Sequence, residues 1–164
     1  MTAYFSKDHR YRFKLEIILN NKLAGIKTAC VIMQNPSYAG EDVADKSVQF
    51  MEKIVFEKGL KEFNGVRRLI VINLFAFIQT NKFEGLPEEI GAENNRAIKN
   101  ALKESEIVII GWGSGNKFKE RKKYVISFLS ELKDKQLFKT SSHPSRAQYA
   151  GFIKPMSLRG FSLP

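Results

Sequence analysis

Four short apolar runs constrain the fold of this chain more than any other feature of its sequence. They are TACVIM (residues 28–33), RLIVIN (68–73), EIVIIGW (106–112) and QLFKTS (136–141). Their β-branched content and continuous hydrophobicity are typical of strands that are buried on both faces, as in a parallel sheet. The runs therefore predict a short sheet of four strands, most of them parallel.

The segments between these runs have the spacing of amphipathic helices. Residues 45–60, 92–105 and 119–135 each place apolar side chains on one stripe. The predicted stripes are Val48, Met51, Ile54 and Val55, then Ala97, Ile98, Ala101 and Leu102, and last Tyr124, Val125, Phe128, Leu129 and Leu132. Alternating strands and helices predict one α/β domain over residues 1–164, with right-handed crossovers. The early segment 11–19, YRFKLEIIL, fits either an added strand or a helix.

Small or polar residues follow each predicted strand. These segments are QNPS (34–37), NLFAF (73–77), GWGSG (111–115) and SSHPSR (141–146). In open parallel sheets, ligands bind beyond the carboxyl ends of the strands. We therefore expect the four segments to meet at one rim, although they are far apart in the sequence.

The net charge indicates which class of partner the chain can attract. The chain has 27 Lys and Arg against 17 Asp and Glu, a formal charge of +10. Such a field attracts polyanions, of which nucleic acid is the most common; the alternative is a generally basic surface. Cys30 is the single cysteine, which excludes an internal disulfide and fits a cytoplasmic protein. No signal peptide is visible, and the longest apolar stretch, residues 69–78, is half the roughly 20 residues of a membrane helix.

Several reaction classes lack their motifs in this sequence. There is no P-loop, no G-x-S-x-G nucleophile elbow and no nearby pair of carboxylates for sugar hydrolysis. Two histidines, one near each terminus, make a metal site improbable. The predicted rim offers amides, hydroxyls, glycine backbone and a histidine. Such a donor-rich site in a positive field suits cleavage of a bond whose leaving group departs as an anion.

The order and spacing of the motifs over residues 28–155 resemble the uracil-DNA glycosylase superfamily. VIMQNPSYAG resembles its first motif, LIVINLFAF its strand-end asparagine, GWGSGNKFKERK its LWGSxAQKK segment and SSHPSRAQYAGF its HPSPLSxxRGF segment. The chain also resembles a bacterial and phage family with RYRF, NPS, NLFA, ENN, WG and HP landmarks, and that resemblance implies no particular activity. Arg10, Tyr11, Gly91, Asn94 and Asn95 belong to those landmarks and have no counterpart in the glycosylases.

The glycosylase resemblance implies a three-layer α/β/α sandwich and a role for each matching residue. Asn35 is expected to position the attacking water, Asn73 to read the pyrimidine edge, and His143 to stabilise the departing base anion. The residues expected to contact DNA are Ser114, Lys117, Lys119, Ser145 and Arg146.

This sequence departs from the glycosylase pattern at several positions. Ser37 stands where an aromatic residue excludes a 5-methyl group, so Ser37 and Tyr38 are expected to admit a larger 5-substituent. The aromatic that stacks on the base aligns with Phe50 or is displaced by Val43, and Tyr38 can substitute for it. Asn35 cannot take a proton from water, and Arg146 replaces a leucine that wedges into the duplex.

The sequence thus predicts a DNA glycosylase that flips out and excises uracil or a modified pyrimidine. No metal or organic cofactor is implied, and we expect a cytoplasmic monomer. Two alternatives remain: a non-catalytic DNA-binding module on the same fold, or an enzyme of free nucleotides in which Arg10, Asn94 and Asn95 complete a closed pocket.

Overall fold

The computed structural model describes residues 1–20, 25–37 and 45–159. Within these residues the chain forms a seven-stranded mixed sheet and three α-helices. The strands are β1 (Thr2–Phe5), β2 (Arg12–Ile18), β3 (Lys27–Met33), β4 (Val66–Asn73), β5 (Ile107–Ile110), β6 (Gln136–Thr140) and β7 (Ile153–Pro155), and the helices are α1 (Lys46–Phe56), α2 (Asn94–Glu104) and α3 (Lys119–Ser130). The predicted α/β class is right, but the predicted glycosylase-like fold around a short four-stranded sheet is wrong.

The four predicted runs form the parallel centre of this sheet, in the order β4-β3-β5-β6. Cys30 of β3 pairs with Ile70 on one side and with Val108 on the other. After its first residue every position of β3 is buried. A strand with neighbours at both edges and helices over both faces needs apolar residues throughout, which explains the continuous hydrophobicity.

The strands that the sequence did not predict extend the sheet at its two edges. β2 is antiparallel to β4 and β1 to β2, while β7 is antiparallel to β6. β2 interleaves charged residues with apolar ones, so its sequence left strand and helix equally open. β1 and β7 have only four and three residues, too few for a recognisable pattern.

The helices cover both faces of the sheet. Ala29, Val31 and Met33 pack on the face that α1 covers, and Cys30 and Ile32 pack on the face that α2 and α3 cover. The predicted stripe of α1 is confirmed, because Val48, Met51, Ile54 and Val55 are all buried. No helix in the described ranges is long and apolar enough to span a membrane.

The predicted stripe of α3 is wrong at two positions. Tyr124 is 49% exposed, and the helix ends at Ser130, before Leu132. Arg121 and Lys122 are buried instead, although they stand in the charged run KFKERKK. Both side chains reach into the strand-end loops, where backbone carbonyls accept their hydrogen bonds.

Candidate functional site

A cleft of about 1210 Å³ lies at the carboxyl ends of the parallel strands, beside the start of α1. Three of the four predicted segments, those after β3, β5 and β6, contribute to its walls. The predicted NLFAF segment (73–77) does not, and the chain after β4 reaches the cleft only at Gln79 and Thr80. Seven of the eleven predicted site residues line the cleft: Asn35, Ser37, Ser114, Lys117, His143, Ser145 and Arg146. The parallel topology brings them together, because all four central strands end at the same edge.

Asn35 connects two of the strand-end segments. Its Nδ2 donates to the carbonyl oxygen of Gln79 at 2.8 Å and to that of Pro36 at 3.3 Å. The backbone N–H of Gln79 donates in turn to the Pro36 carbonyl at 3.0 Å. Both N–H donors of the Asn35 carboxamide are therefore used in hydrogen bonds within the protein. The remaining carboxamide atom, Oδ1, is an acceptor suited to orienting a water in the cleft.

Ser37 faces a carboxylate that the sequence analysis did not single out. Ser37 Oγ donates to Asp45 Oδ2 at 2.9 Å. Asp45 is also the N-cap of α1, since its Oδ1 accepts from the backbone N–H of Val48 at 3.0 Å. The sequence signal was available, because an Asp directly before an amphipathic stripe is a typical N-cap.

Behind Asp45 lies Arg12, whose side chain is 2% exposed. In the pairing with β1, Tyr4 lies opposite Lys14 and Phe5 opposite Arg12, so Phe13 is an extra residue in β2. Such a bulge changes the face to which the next side chain points. Arg12 Nη2 lies 3.8 Å from Asp45 Oδ2, beyond hydrogen-bond distance. Among the described residues neither Nε nor Nη2 of Arg12 has a hydrogen-bond partner, and burial lowers the pKa of this guanidinium.

His143 is the N-cap of a 3₁₀ turn at Pro144–Arg146. Its Nδ1 accepts from the backbone N–H of Ser145 at 3.2 Å, which places the proton of the neutral ring on Nε2. Burial lowers the pKa of His143, the charge of Asp45 acts in the opposite direction, and Arg146 adds to the lowering. The lowered pKa favours the neutral ring, in which Nε2 carries the N–H donor.

The loop after β5 brings backbone and cations to the opposite wall of the cleft. Gly113 has a φ of +82°, and a Cβ there would lie 3.3 Å from the backbone nitrogen of His143. The glycine thus allows the close approach of the two loops. Lys122 is 4% exposed, its Nζ donates to the carbonyl of Gly115 at 2.6 Å, and burial lowers its pKa.

Asn73 does not line the cleft. It is 1% exposed, and among the described residues its Nδ2 and Oδ1 have no hydrogen-bond partner. It lies opposite Met33 in the parallel register, and Met33 does line the cleft. Asn73 therefore lies beside a residue of the cleft lining without lining the cleft itself.

The glycine and asparagine landmarks near α2 support the end of β4 instead of forming a pocket. Asn94 Nδ2 donates to the carbonyls of Asn73 and Leu74, both at 3.1 Å. Arg121 Nε donates to the Leu74 carbonyl at 2.8 Å, and its Nη1 donates to Asn95 Oδ1 at 2.7 Å. These contacts fix the chain as it leaves β4, and they give the nucleotide-pocket alternative no geometric support.

Two further predicted residues lie elsewhere, and a third is outside the described part of the chain. Phe50 stacks on Tyr149, with ring centres 4.5 Å apart, and meets Phe152 edge-on, away from the cleft lining. Lys119 is exposed in the first turn of α3 and does not line the cleft. Tyr38 and the alternative Val43 lie outside the described residues.

The described residues contain no group of three or more His, Cys, Asp or Glu arranged to hold a metal ion. The cleft is rich in cations: Lys46, Lys117, Lys122 and Arg146 line it, and Asp45 is the one carboxylate that the described lining contains. The arrangement can bind phosphates, donate a hydrogen bond from a neutral histidine and orient a water.

The sequence was compared with known proteins and families. A family described as "Protein of unknown function (DUF1643)" matches residues 10–146 of the 164. The chain belongs to this family. The DUF1643 match covers the cleft from Asn35 to Arg146, together with the landmarks from Arg10 to Asn95. No curated protein and no solved structure matches the chain.

Proposed function

We propose that this DUF1643 protein binds DNA at the cleft and hydrolyses the N-glycosidic bond of an extruded pyrimidine. The observation that carries the proposal is the convergence of Asn35, Ser37 and His143 with basic and hydroxyl residues in one cleft at the strand ends. The motif resemblance to uracil-DNA glycosylases supports the same chemistry. The nucleotide must leave the stack, because the glycosidic bond is out of reach inside a duplex. In this proposal the protein acts in the cytoplasm as a monomer and uses no cofactor.

His143 supplies the stabilisation of the leaving group. Because Nδ1 accepts from Ser145, Nε2–H is the donor that can bond an oxygen of the departing base. A neutral donor aimed at developing negative charge lowers the barrier without full proton transfer. The lowered pKa of His143 keeps the ring neutral when the base leaves.

The cations of the cleft hold the phosphates that flank the target nucleotide. Lys117 and Arg146 come from loops on different strands, so together they can contact the backbone on either side of an extruded base. Ser114 and Ser145 add hydroxyl donors of the kind that contact phosphate oxygens.

Asn73 reads the base in this proposal. Buried polar atoms are normally hydrogen-bonded, but Nδ2 and Oδ1 of Asn73 have no partner among the described residues. Asn73 lies beside Met33, which lines the cleft. A base that enters to this depth would give both atoms a partner. Ser37, at the cleft wall, leaves room for a 5-substituent.

An abasic-site assay tests the proposal. Duplex and single-stranded oligonucleotides that carry uracil, mismatched thymine, 5-hydroxymethyluracil or 5-hydroxymethylcytosine are incubated with wild type, Asn35→Ala and His143→Ala. We expect alkali-dependent strand scission on one of them, reduced about 10²-fold or more in His143→Ala, since one oxyanion donor contributes that much. Wild-type protein that binds every substrate and cleaves none refutes the proposal.

A second candidate is a non-catalytic DNA-binding module that uses the same cleft. The observation that favours it is the structural use of Asn35, whose amide hydrogens bond Gln79 and Pro36. This candidate predicts salt-sensitive binding, no abasic product and no loss of affinity in His143→Ala.

A further inference from the structure

Asp45 occupies an unusual position in a basic cleft. Within the described lining it is the single carboxylate, and Lys46, Lys117, Lys122 and Arg146 line the same cleft. Its charge acts on His143, because it opposes the effect of burial on the pKa of that ring. Asp45 and His143 therefore share one electrostatic environment at the centre of the site.

The geometry holds this carboxylate in one orientation. Oδ1 accepts from the backbone of Val48 and Oδ2 accepts from Ser37 Oγ. Each oxygen retains a second lone pair, so the group can still accept a proton or a hydrogen bond. The side chain is 15% exposed, which leaves it in contact with the cleft.

Helix capping alone does not account for Asp45 and its surroundings. Asn and Ser cap helices about as well as Asp does, and neither would need a cation behind it. Yet Arg12 is buried 3.8 Å from Oδ2, and its Nε and Nη2 lack a hydrogen-bond partner in the described part of the chain. A buried guanidinium with unmet donors costs stability, so neither packing nor capping accounts for its place beside Asp45.

We propose that Asp45 is the catalytic carboxylate of this site. The inference rests on the glycosylase function proposed above. Asn35 orients a water but cannot take its proton, so hydrolysis requires another acceptor. In the reaction the C1′–N bond breaks and its electron pair leaves with the base, whose negative charge His143 Nε2–H stabilises. The water oxygen bonds to C1′, and its proton passes to Asp45 and then to solvent.

Asp45→Asn and Asp45→Ser separate this role from capping, since both residues are good N-caps. We expect both variants to unfold like wild type, to bind DNA at least as tightly, and to lose on the order of 10²–10⁴ in single-turnover excision rate, the usual effect of a general base. Asp134→Asn is the matched control, because Asp134 is exposed and distant from the cleft and its φ of +62° suits Asn.

Rescue of the excision rate by added formate is a measurement that a purely structural role of Asp45 would not affect. In Asp45→Ser the missing carboxylate leaves space for formate, so added formate should raise the rate, and chloride at the same ionic strength should not. In Asp45→Asn the amide fills that space and formate should have no effect. An active wild type with either variant within tenfold of its rate would overturn the role of Asp45. A wild type inactive on every substrate would refute the proposed function, and this inference with it.

Discussion

Two buried arginines should respond in opposite ways to the same substitution. Arg12 and Arg121 are 2% and 9% exposed, so Arg→Met removes a buried cation at each and leaves a side chain of similar volume. Arg121 donates from Nε to the Leu74 carbonyl and from Nη1 to Asn95 Oδ1. Arg12 Nη2 makes a long 3.8 Å contact with Asp45, and among the described residues its Nε and Nη2 have no hydrogen-bond partner, whereas in Arg121 this holds for Nη2 alone.

The expected magnitudes follow from these contacts. At 3.8 Å the attraction of Arg12 to Asp45 is about 4 kcal/mol for an effective dielectric of 20. Desolvation of the ion costs several kcal/mol, and each unmet buried donor costs about 1–3 kcal/mol. Without Arg12, Asp45 keeps its hydrogen bonds from Ser37 and Val48 and its access to the cleft, so it is not left as an uncompensated buried charge. Arg12→Met should therefore leave the free energy of unfolding unchanged or raise it by up to about 2 kcal/mol. Arg121→Met should lower it by about 2–4 kcal/mol, because two charge-assisted hydrogen bonds are lost.

Urea denaturation of the DNA-free proteins in one buffer measures both changes, provided that the m-value stays constant. A loss of more than about 2 kcal/mol in Arg12→Met would show that the guanidinium stabilises the fold, and would remove the reason for linking it to function.

Three further outcomes are expected. Gly113→Ala should lower the free energy of unfolding by about 1–3 kcal/mol, because its φ of +82° strains an L-residue and the new Cβ presses on His143. A thermal melt measures the loss of stability and the excision rate measures the effect on His143. An unchanged excision rate would contradict the contact. Burial lowers the pKa of His143 from 6.5, so below pH 6.5 the unfolded chain binds more protons and wild type loses stability as the pH falls. Urea titrations should show a smaller loss of stability in His143→Asn, which keeps the N-cap. Equal losses in the two proteins would exclude the lowered pKa. Lys117→Gln should reduce by about 1 the slope of log K, the DNA-binding constant, against the logarithm of the salt concentration. Lys119→Gln, which lies outside the cleft lining, should not change that slope. Equal slopes for the two variants would place the DNA away from the cleft.

The sequence predicted the centre of the sheet because burial on both faces leaves a local signal. β3 pairs with β4 and β5 and lies under helices on both sides, so TACVIM contains almost nothing polar. The stripe of α1 is equally local, since one helical face packs on the sheet. β2 carries three charged residues among its apolar ones because it lies near the edge, and its pairing with β4 depends on residues more than 50 positions away. Such edge strands are fixed by tertiary partners, which is why the four-stranded prediction failed.

The convergence of the loops was predictable from topology, whereas the burial of charge was not. Once parallel strands were inferred, Asn35 and His143 had to meet near one edge of the sheet. Lys122 stands in the charged run KFKERKK, and nothing in that run distinguishes it from the exposed Lys123 beside it. Its burial depends on a carbonyl of the loop after β5, which only the folded chain supplies.

The polar groups that are buried beside the cleft connect the fold to the function. A chain selected for stability alone would replace a buried amide or guanidinium that lacks hydrogen bonds with an apolar residue of similar volume. In the described structure unpartnered buried atoms belong to Asn73, Arg12, Asn94 and Arg121. Of these residues, Asn73 lies beside Met33, which lines the cleft, and Arg12 lies beside Asp45 in its wall. Because such departures from stable packing concentrate at functional sites, Asn73 and Arg12 support the proposal that the cleft is the ligand site. The proposed pyrimidine would present hydrogen-bonding groups to this end of the cleft.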